Sequence, residues 1–342
     1  MPLGKRHFFL TLFGLALCLI AADFVVAYLT RNSIPRRYMA VARNSKQATV
    51  AVFGNSLLVV GFDTSEFDST LHLSDPQRGT VNLAMGSTTP VEHLLYLRYA
   101  LAHGVRPKLI IYGFLDLQLS QPILLSNKEI IGNHDVLYYQ EPEYARQFYY
   151  LSPRDLVEFE FMRRFAMLAD RSAVWVKVER LRRQLGEQGM PHEETNRFGR
   201  TQDFNLLEAD NAAIFAQQVE NAAQAPFTSA AAEILKQASQ SGAKVAFVEM
   251  PMPSRHRRLF YDTDAWRKYQ LHASSLVTAQ GATYIDASQW VTDDSLFSDR
   301  IHLNPDGATV FTRKLAEAIH EKFPDLTAES RAKLSFPARN SP

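Results

Sequence analysis

The chain is predicted to fold as an α/β protein, a three-layer α/β/α sandwich around a flavodoxin-like parallel five-stranded sheet, with a helical insertion and an N-terminal transmembrane helix. Three observations predict it. From residue 48 onward, five short apolar or β-branched runs alternate with stretches of helical periodicity, the pattern of βαβ units and a parallel sheet. The first run, Ala48 to Phe53, stops at Gly54-Asn55-Ser56, small turn-forming residues that place a serine hydroxyl beyond the carboxyl end of a buried strand, where open α/β sheets bind ligands. Before these runs, residues 8–29 are almost unbroken apolar sequence, about the length that spans a bilayer.

In chain order, the apolar block 8–22 follows Lys5-Arg6-His7 and resumes after Asp23 as Phe24 to Leu29. A cleavable signal peptide is the rival reading, since the first block has h-region length. No clean small-x-small site follows, and the apolar character continues past Asp23, so an uncleaved single-pass anchor over 1–30 is expected. Cys18, the one cysteine, lies inside it behind bulky Leu17, which argues against a lipid anchor and leaves disulfides silent on the compartment. Counted strictly, Arg31, Arg36, Arg37, Arg43 and Lys46 outnumber Lys5 and Arg6, which by the positive-inside rule places the following domain in the cytoplasm. The short basic leader of a signal-anchor argues for the opposite side.

Residues 31–47, polar and basic with Pro35, read as a stalk. After the Ser56 strand, Thr64 or Ser65 is expected to cap a helix. Thr80 to Ala84 is a second strand, and Pro90 to His103 a helix whose Val91, Leu94, Leu95 and Leu101 share a face, with proline in its first turn. Pro107 to Gly113 is a third strand, apolar throughout as a strand covered on both faces should be. Residues 117–226 carry aromatic- and Arg-rich helical stretches, Leu156 to Leu168 and Ala173 to Leu185, with no strand signal, and read as an insertion above the strand ends. Such an insertion shapes a substrate groove, a dimer contact or a membrane-resting surface. Lys177, Arg180, Arg182 and Arg183 make either a solvated face or a contact for an anionic polymer or lipid head groups. Alternation returns with a helix from Ser229 to Ser241 closed by Gly242, a strand from Ala243 to Val248, a helix from Asp264 to Gln280 and a strand from Ala282 to Asp286. A last helix starts at Asn304-Pro305 and runs to about Lys322, and the tail 324–342 reads as loosely ordered.

With 342 residues and a net charge of +1, the chain is large enough for a full core and lacks the basic bias of a nucleic-acid binder. Its chemistry is expected where a serine can meet a base. Asp299 precedes His302 by three residues on a loop ahead of the last helix, so one short segment can supply a general base and the carboxylate that orients it. Gly132-Asn133-His134-Asp135 lacks the upstream Asp-x-His and Gly-Asp ligands a metal site would need, so neither metal nor cofactor is expected. Arg255-His256-Arg257-Arg258, after the fourth strand, reads as a solvated loop or as a grip on an anionic substrate.

These residues resemble the SGNH (GDSL-type) hydrolases: Gly54-Asn55-Ser56 is similar to the nucleophile block, Gly86 in Val81 to Ser87 to the second block, and Asp299 with His302 to the last. The resemblance covers 48–116 and 227–323. It implies the SGNH fold, a Ser56/His302/Asp299 triad and an oxyanion hole from the amides of Ser56 and Gly86. The family's Gly-x-Asn-Asp block is here Gly113-Phe114-Leu115-Asp116, so Leu115 replaces the asparagine that donates to the oxyanion. Asn82, Ser87 and Gln118 are the nearby candidates to substitute, and Asp116 reads as a loop tie. Similar departures occur in membrane-anchored members acting on cell-envelope polymers. The resemblance thus implies an O-acetyltransferase or acetylesterase on the periplasmic side of the inner membrane, acting on an acylated polysaccharide or other envelope polymer, with a multi-spanning membrane acyltransferase as partner. The alternatives are a lipid or thioester hydrolase and a non-catalytic component of an envelope polymer assembly machine.

Overall fold

A computed structural model describes residues 3–73, 79–86, 88–120, 142–148, 151–184 and 209–326. Ser87, the Gly132–Asp135 motif and nearly all of the C-terminal tail lie outside the described residues. The elements are α1 (Leu3–Leu29), α2 (Ile34–Asn44), β1 (Val50–Gly54), α3 (Ser56–Gly61), α4 (Thr64–Thr70), β2 (Thr80–Asn82), α5 (Pro90–Ala102), β3 (Leu109–Phe114), α6 (Pro153–Met162), α7 (Ala166–Ala169), α8 (Arg171–Gln184), α9 (Ala209–Ala222), α10 (Ser229–Gln240), β4 (Lys244–Glu249), α11 (Asp264–Ala279), β5 (Thr283–Asp286) and α12 (Pro305–Lys322). Contacts divide the chain into two units, one of residues 1–40 and 125–193, the other of residues 41–124 and 194–342.

The second unit holds the sheet. Its strands pair in parallel in the order β2-β1-β3-β4-β5, the flavodoxin-like order, whose direction reverses between β1 and β3. Both faces are covered, which is why the strands read as continuous apolar runs. On one face Val50, Val52, Leu109, Ile111, Ala246 and Val248 pack into a core with Trp266 and Tyr269 of α11 and Phe311, Leu315 and Ile319 of α12. On the other, Phe53 meets Tyr96 of α5 edge-on at 6.1 Å between ring centroids, and Tyr112 meets His93 at 5.5 Å. α9 also belongs to this unit: Phe215 packs on Phe260 and Trp266 at 4.7 and 5.9 Å.

The cap of α4 differs from the sequence expectation. Asp63 performs the role, its Oδ1 accepting from the amides of Ser65 and Glu66 at 2.8 and 3.1 Å, while Thr64 is already helical. Within the stretch read as a stalk, residues 34–44 form α2, with Met39 and Ala42 buried along one side. Arginines at 36, 37 and 43 mask that periodicity in a reading that weighs polarity alone.

In the first unit, α1 is followed by α6, α7 and α8. Ser152 caps α6 in a reciprocal box with Asp155, which donates its amide to the serine at 3.2 Å and accepts the Ser152 amide at 2.7 Å. Asp170, buried between α7 and α8, accepts from the Thr30 hydroxyl at 2.6 Å and the Arg36 guanidinium at 2.5 Å. A buried carboxylate is tolerable on such terms, paired and hydrogen-bonded.

Candidate active site

Ser56 stands at the switch point because of two glycines. Gly54 pairs with Gly113 at the carboxyl ends of β1 and β3. It has φ of 152°, and a Cβ on it would lie 2.6 Å from the Gly113 carbonyl oxygen. At Gly113 a Cβ would collide with Leu58 of α3 at 2.4 Å. Without side chains there, α3 tucks directly under the strand ends and starts at Ser56. Asn55 caps it, its Oδ1 accepting from the Leu57 amide at 3.0 Å, and Ser56 keeps partial access to solvent.

The base arrives on a clamped loop. Residues 297 and 303 form an antiparallel bridge, and the Ser298 amide donates to the His302 carbonyl at 2.8 Å. Buried Asn304 closes the loop from both sides: its Oδ1 accepts from Gly307 at 2.9 Å to cap α12, and its Nδ2 donates to the Ser295 carbonyl at 2.8 Å. His302 Nε2 lies 2.8 Å from Ser56 Oγ, and its Nδ1 lies 2.8 Å from Asp299 Oδ2. Burial acts to raise the Asp299 pKa, but the His302 ring and the amides of Ile301 and His302 all donate to the carboxylate and together hold it below the ordinary value. An ionised Asp299 only accepts, which fixes the ring proton on Nδ1 and leaves Nε2 bare toward the serine. The three residues expected to meet are therefore brought into one hydrogen-bonded line, serine and histidine standing 246 positions apart in the chain.

The oxyanion candidates separate. Asn82 is committed to the backbone, with Nδ2 donating to Leu58 O at 2.9 Å and Oδ1 accepting from Ala84 at 3.0 Å. The segment after β2 stays beside β1 through bonds from Leu83 to Val52 O at 2.7 Å and from Met85 to Gly54 O at 2.9 Å, which brings exposed Gly86 to the end of β1. Leu115 packs against the core and offers only its backbone. Its amide donates at 3.0 Å to Gln118 Oε1, which also lies 3.4 Å from Asn55 Nδ2. Gln118 Nε2 has no acceptor among the described residues.

Asp116 ties its loop. At φ of 48° it accepts from the Tyr261 hydroxyl at 2.6 Å, lies 3.3 Å from His256 Nε2, and receives the Tyr269 hydroxyl on its carbonyl at 3.0 Å. Of the basic run 255–258, buried His256 is spent on this cluster and Arg257 on the carbonyls of Met252 and Val291, leaving Arg255 and Arg258 for any anionic ligand. No sequence signal announced the cluster, whose members lie far apart along the chain. Nearby, Glu249 at the end of β4 is buried, and burial lifts its pKa to about 7, with Asp286 adding repulsion and Tyr284 and Gln270 opposing through hydrogen bonds.

No protein-family profile matches the chain, and no curated protein does. Solved structures similar to it include a carbohydrate acetylesterase from Sinorhizobium meliloti, at 12% identity and a TM-score of 0.38, over 81% of this chain and 100% of that one. A lipase/acylhydrolase from Enterococcus faecalis is similar at 10% identity and a TM-score of 0.35, over 80% and 96%. A GDSL-like lipase from Bacteroides thetaiotaomicron is similar at 12% and 0.34, over 85% and 98%. The strand order and the meeting of Ser56, His302 and Asp299 are those that the resemblance to the SGNH hydrolases implies.

Proposed function

We propose that this chain is a membrane-anchored SGNH-type serine acyl-transfer enzyme, an O-acetyltransferase or acetylesterase that acts on a cell-envelope polysaccharide through an acyl-Ser56 intermediate. The observation that carries the reading is the line from Ser56 Oγ through His302 to Asp299, with 2.8 Å at each step. His302 Nε2 takes the hydroxyl proton as Ser56 Oγ bonds to the ester carbonyl carbon. Asp299 holds the imidazolium that results. The tetrahedral oxyanion is met by the amides of Ser56 and Gly86 and by the Nε2 amide of Gln118, which replaces the donor lost at Leu115. As the carbonyl reforms, the ester oxygen leaves and takes the proton from His302. A second hydroxyl then attacks acyl-Ser56, giving its proton to His302, and as the carbonyl reforms the acyl–Oγ bond breaks and Ser56 Oγ takes that proton back: water makes the protein an esterase, a sugar hydroxyl a transferase.

Support for the anchor comes from α1, of which His7–Leu29 is long and apolar enough to cross a membrane. The reading places the enzyme in the inner membrane with its sheet unit on the periplasmic side and a multi-spanning acyltransferase as the acyl supplier. The test compares the parent with Ser56→Ala for fluorophosphonate labelling, for acetyl release from p-nitrophenyl acetate and for acetyl release from purified envelope glycan. The expected result is loss of all three. Equal acetyl release by mutant and parent overturns the proposal, and a folded parent that is never labelled points instead to a non-catalytic assembly role. A preference for long acyl chains over acetyl points to a lipid or thioester hydrolase.

A further inference from the structure

We infer that helices α6 to α8 form an apron that lies in the headgroup region of the same bilayer α1 crosses, with Trp175, Val178, Leu181 and Phe161 inserted toward its hydrocarbon. The inference rests on the anchor reading of α1 and adds a second, peripheral membrane contact to it.

Depth along α1 carries the argument. The apolar span His7–Leu29 has 23 residues, about 34 Å at 1.5 Å per residue, against a hydrocarbon core of about 30 Å. Its last residues therefore lie at the membrane boundary, with Asp23 roughly 9 Å before Leu29. At that depth a carboxyl group needs a partner. It has one in α7: Asp23 Oδ1 accepts from the Met167 amide at 2.9 Å. Nearly two turns into α8, Lys177 Nζ donates to the Leu29 carbonyl, and at the head of α8 Asp170 binds Thr30 and Arg36 just past the end of α1. Two bonds thus hold α7 and α8 to the last turns of α1, with Asp170's pairing to Thr30 and Arg36 beside them, and a body held there sits at the bilayer surface.

What these helices present outward fits that position. Trp175, Val178 and Leu181 recur every three residues, within one arc of α8, and are 60%, 37% and 55% exposed; Phe161 of α6 is 57% exposed. Large apolar side chains on one arc, a tryptophan among them, are what an interfacial helix buries. The cations alongside suit anionic head groups: Arg182, stacked 5.6 Å over the Trp175 ring, and Arg164, 70% exposed although it lies 3.6 Å from Glu160. The occupant is thus the lipid surface into which α1 already runs.

Cys18 is the one cysteine, and it lies within the span, so the full chain carries its own internal control. The parent, labelled at Cys18 with an environment-sensitive fluorophore and reconstituted in phosphatidylethanolamine/phosphatidylglycerol vesicles, is compared with Cys18→Ser chains carrying Trp175→Cys or Leu181→Cys. Lipids bearing a nitroxide just below the ester carbonyls serve as quencher. The expected result is blue-shifted emission and strong quenching at both apron positions, together with a lipid-buried Cys18. Water-like, unquenched emission at 175 and 181 with Cys18 buried overturns the apron while leaving the anchor intact. Blue-shifted emission that lipid quenchers do not reach means protein covers the face, a second copy of this chain, and also overturns it. A Cys18 label in water removes the anchor and the apron together.

Discussion

Asn55 faces an unambiguous donor, the Leu57 amide, so its oxygen must point there and its Nδ2 toward Gln118. Gln118 in turn faces the Leu115 amide, so its oxygen points inward to both donors and its Nε2 is turned outward. These orientations follow from which atoms can donate, independent of how amide groups are assigned. The consequence is that the residue standing where the SGNH block has an asparagine contributes its backbone to aim another residue's amide. Gln118→Met keeps the length of the side chain and deletes the donor. On the proposed mechanism, in which Gln118 is the third donor, kcat is expected to fall by about 10²–10³, the worth of one oxyanion-hole donor, with KM for p-nitrophenyl acetate little changed. Steady-state kinetics check this, with thermal unfolding to confirm the fold. An unchanged kcat removes Gln118 from the proposed oxyanion hole.

At the scale of elements, the site depends on how tightly α12 seats against the loop that carries His302. A Cβ on Gly307, in the first turn, would lie 2.2 Å from the Leu296 carbonyl oxygen and 3.0 Å from Leu303 Cδ2. Gly307→Ala must push the 296–303 loop away, and overpacking of this kind costs about 1–3 kcal/mol. Activity is expected to fall further than stability, because the same shift carries His302 off Ser56; urea unfolding and kcat/KM measured side by side check it. Much of this arrangement is legible in the sequence because it is local or repetitive. The five strands announce themselves as apolar runs, and Asp299, His302, Asn304 and Pro305 lie within one short stretch whose turn and cap chemistry can be read directly. What escapes is non-local. The second donor that holds Gln118 is Asn55, the cap of α3, 63 residues earlier, and the Asp116–His256–Tyr261 cluster joins positions about 140 residues apart. Asp63 was hidden as a cap by Thr64 and Ser65, equally good candidates one and two residues on, since only φ/ψ separates a cap from the first helical residue.

For the whole molecule, the sheet that presents the site also stores an uncompensated proton. Glu249 ends β4 beneath the loops, accepting from both Gln270 and Tyr284, yet burial outweighs these bonds and raises its pKa from 4.5 to about 7. For a carboxyl raised on folding, the native state binds the proton more tightly than the unfolded chain, so global stability falls as pH rises from about 4.5 to about 7 and levels off above. Asp299, lowered on folding, acts with the opposite sign, losing its contribution only as pH falls through its depressed pKa. The two windows do not overlap, and because Asp68 is raised by burial as well, it is the difference between the parent and a variant at 249 that isolates the glutamate. Glu249→Gln removes the titration while keeping shape and an acceptor. Relative to the parent, the variant is expected to gain stability progressively between pH 4.5 and 7, by on the order of 3 kcal/mol at the upper end. Urea unfolding of both chains at pH 5 and pH 8 reads the difference. A gap that is the same at the two values shows that Glu249 keeps one charge state across the range, with its network of Gln270 and Tyr284 overcoming the cost of burial.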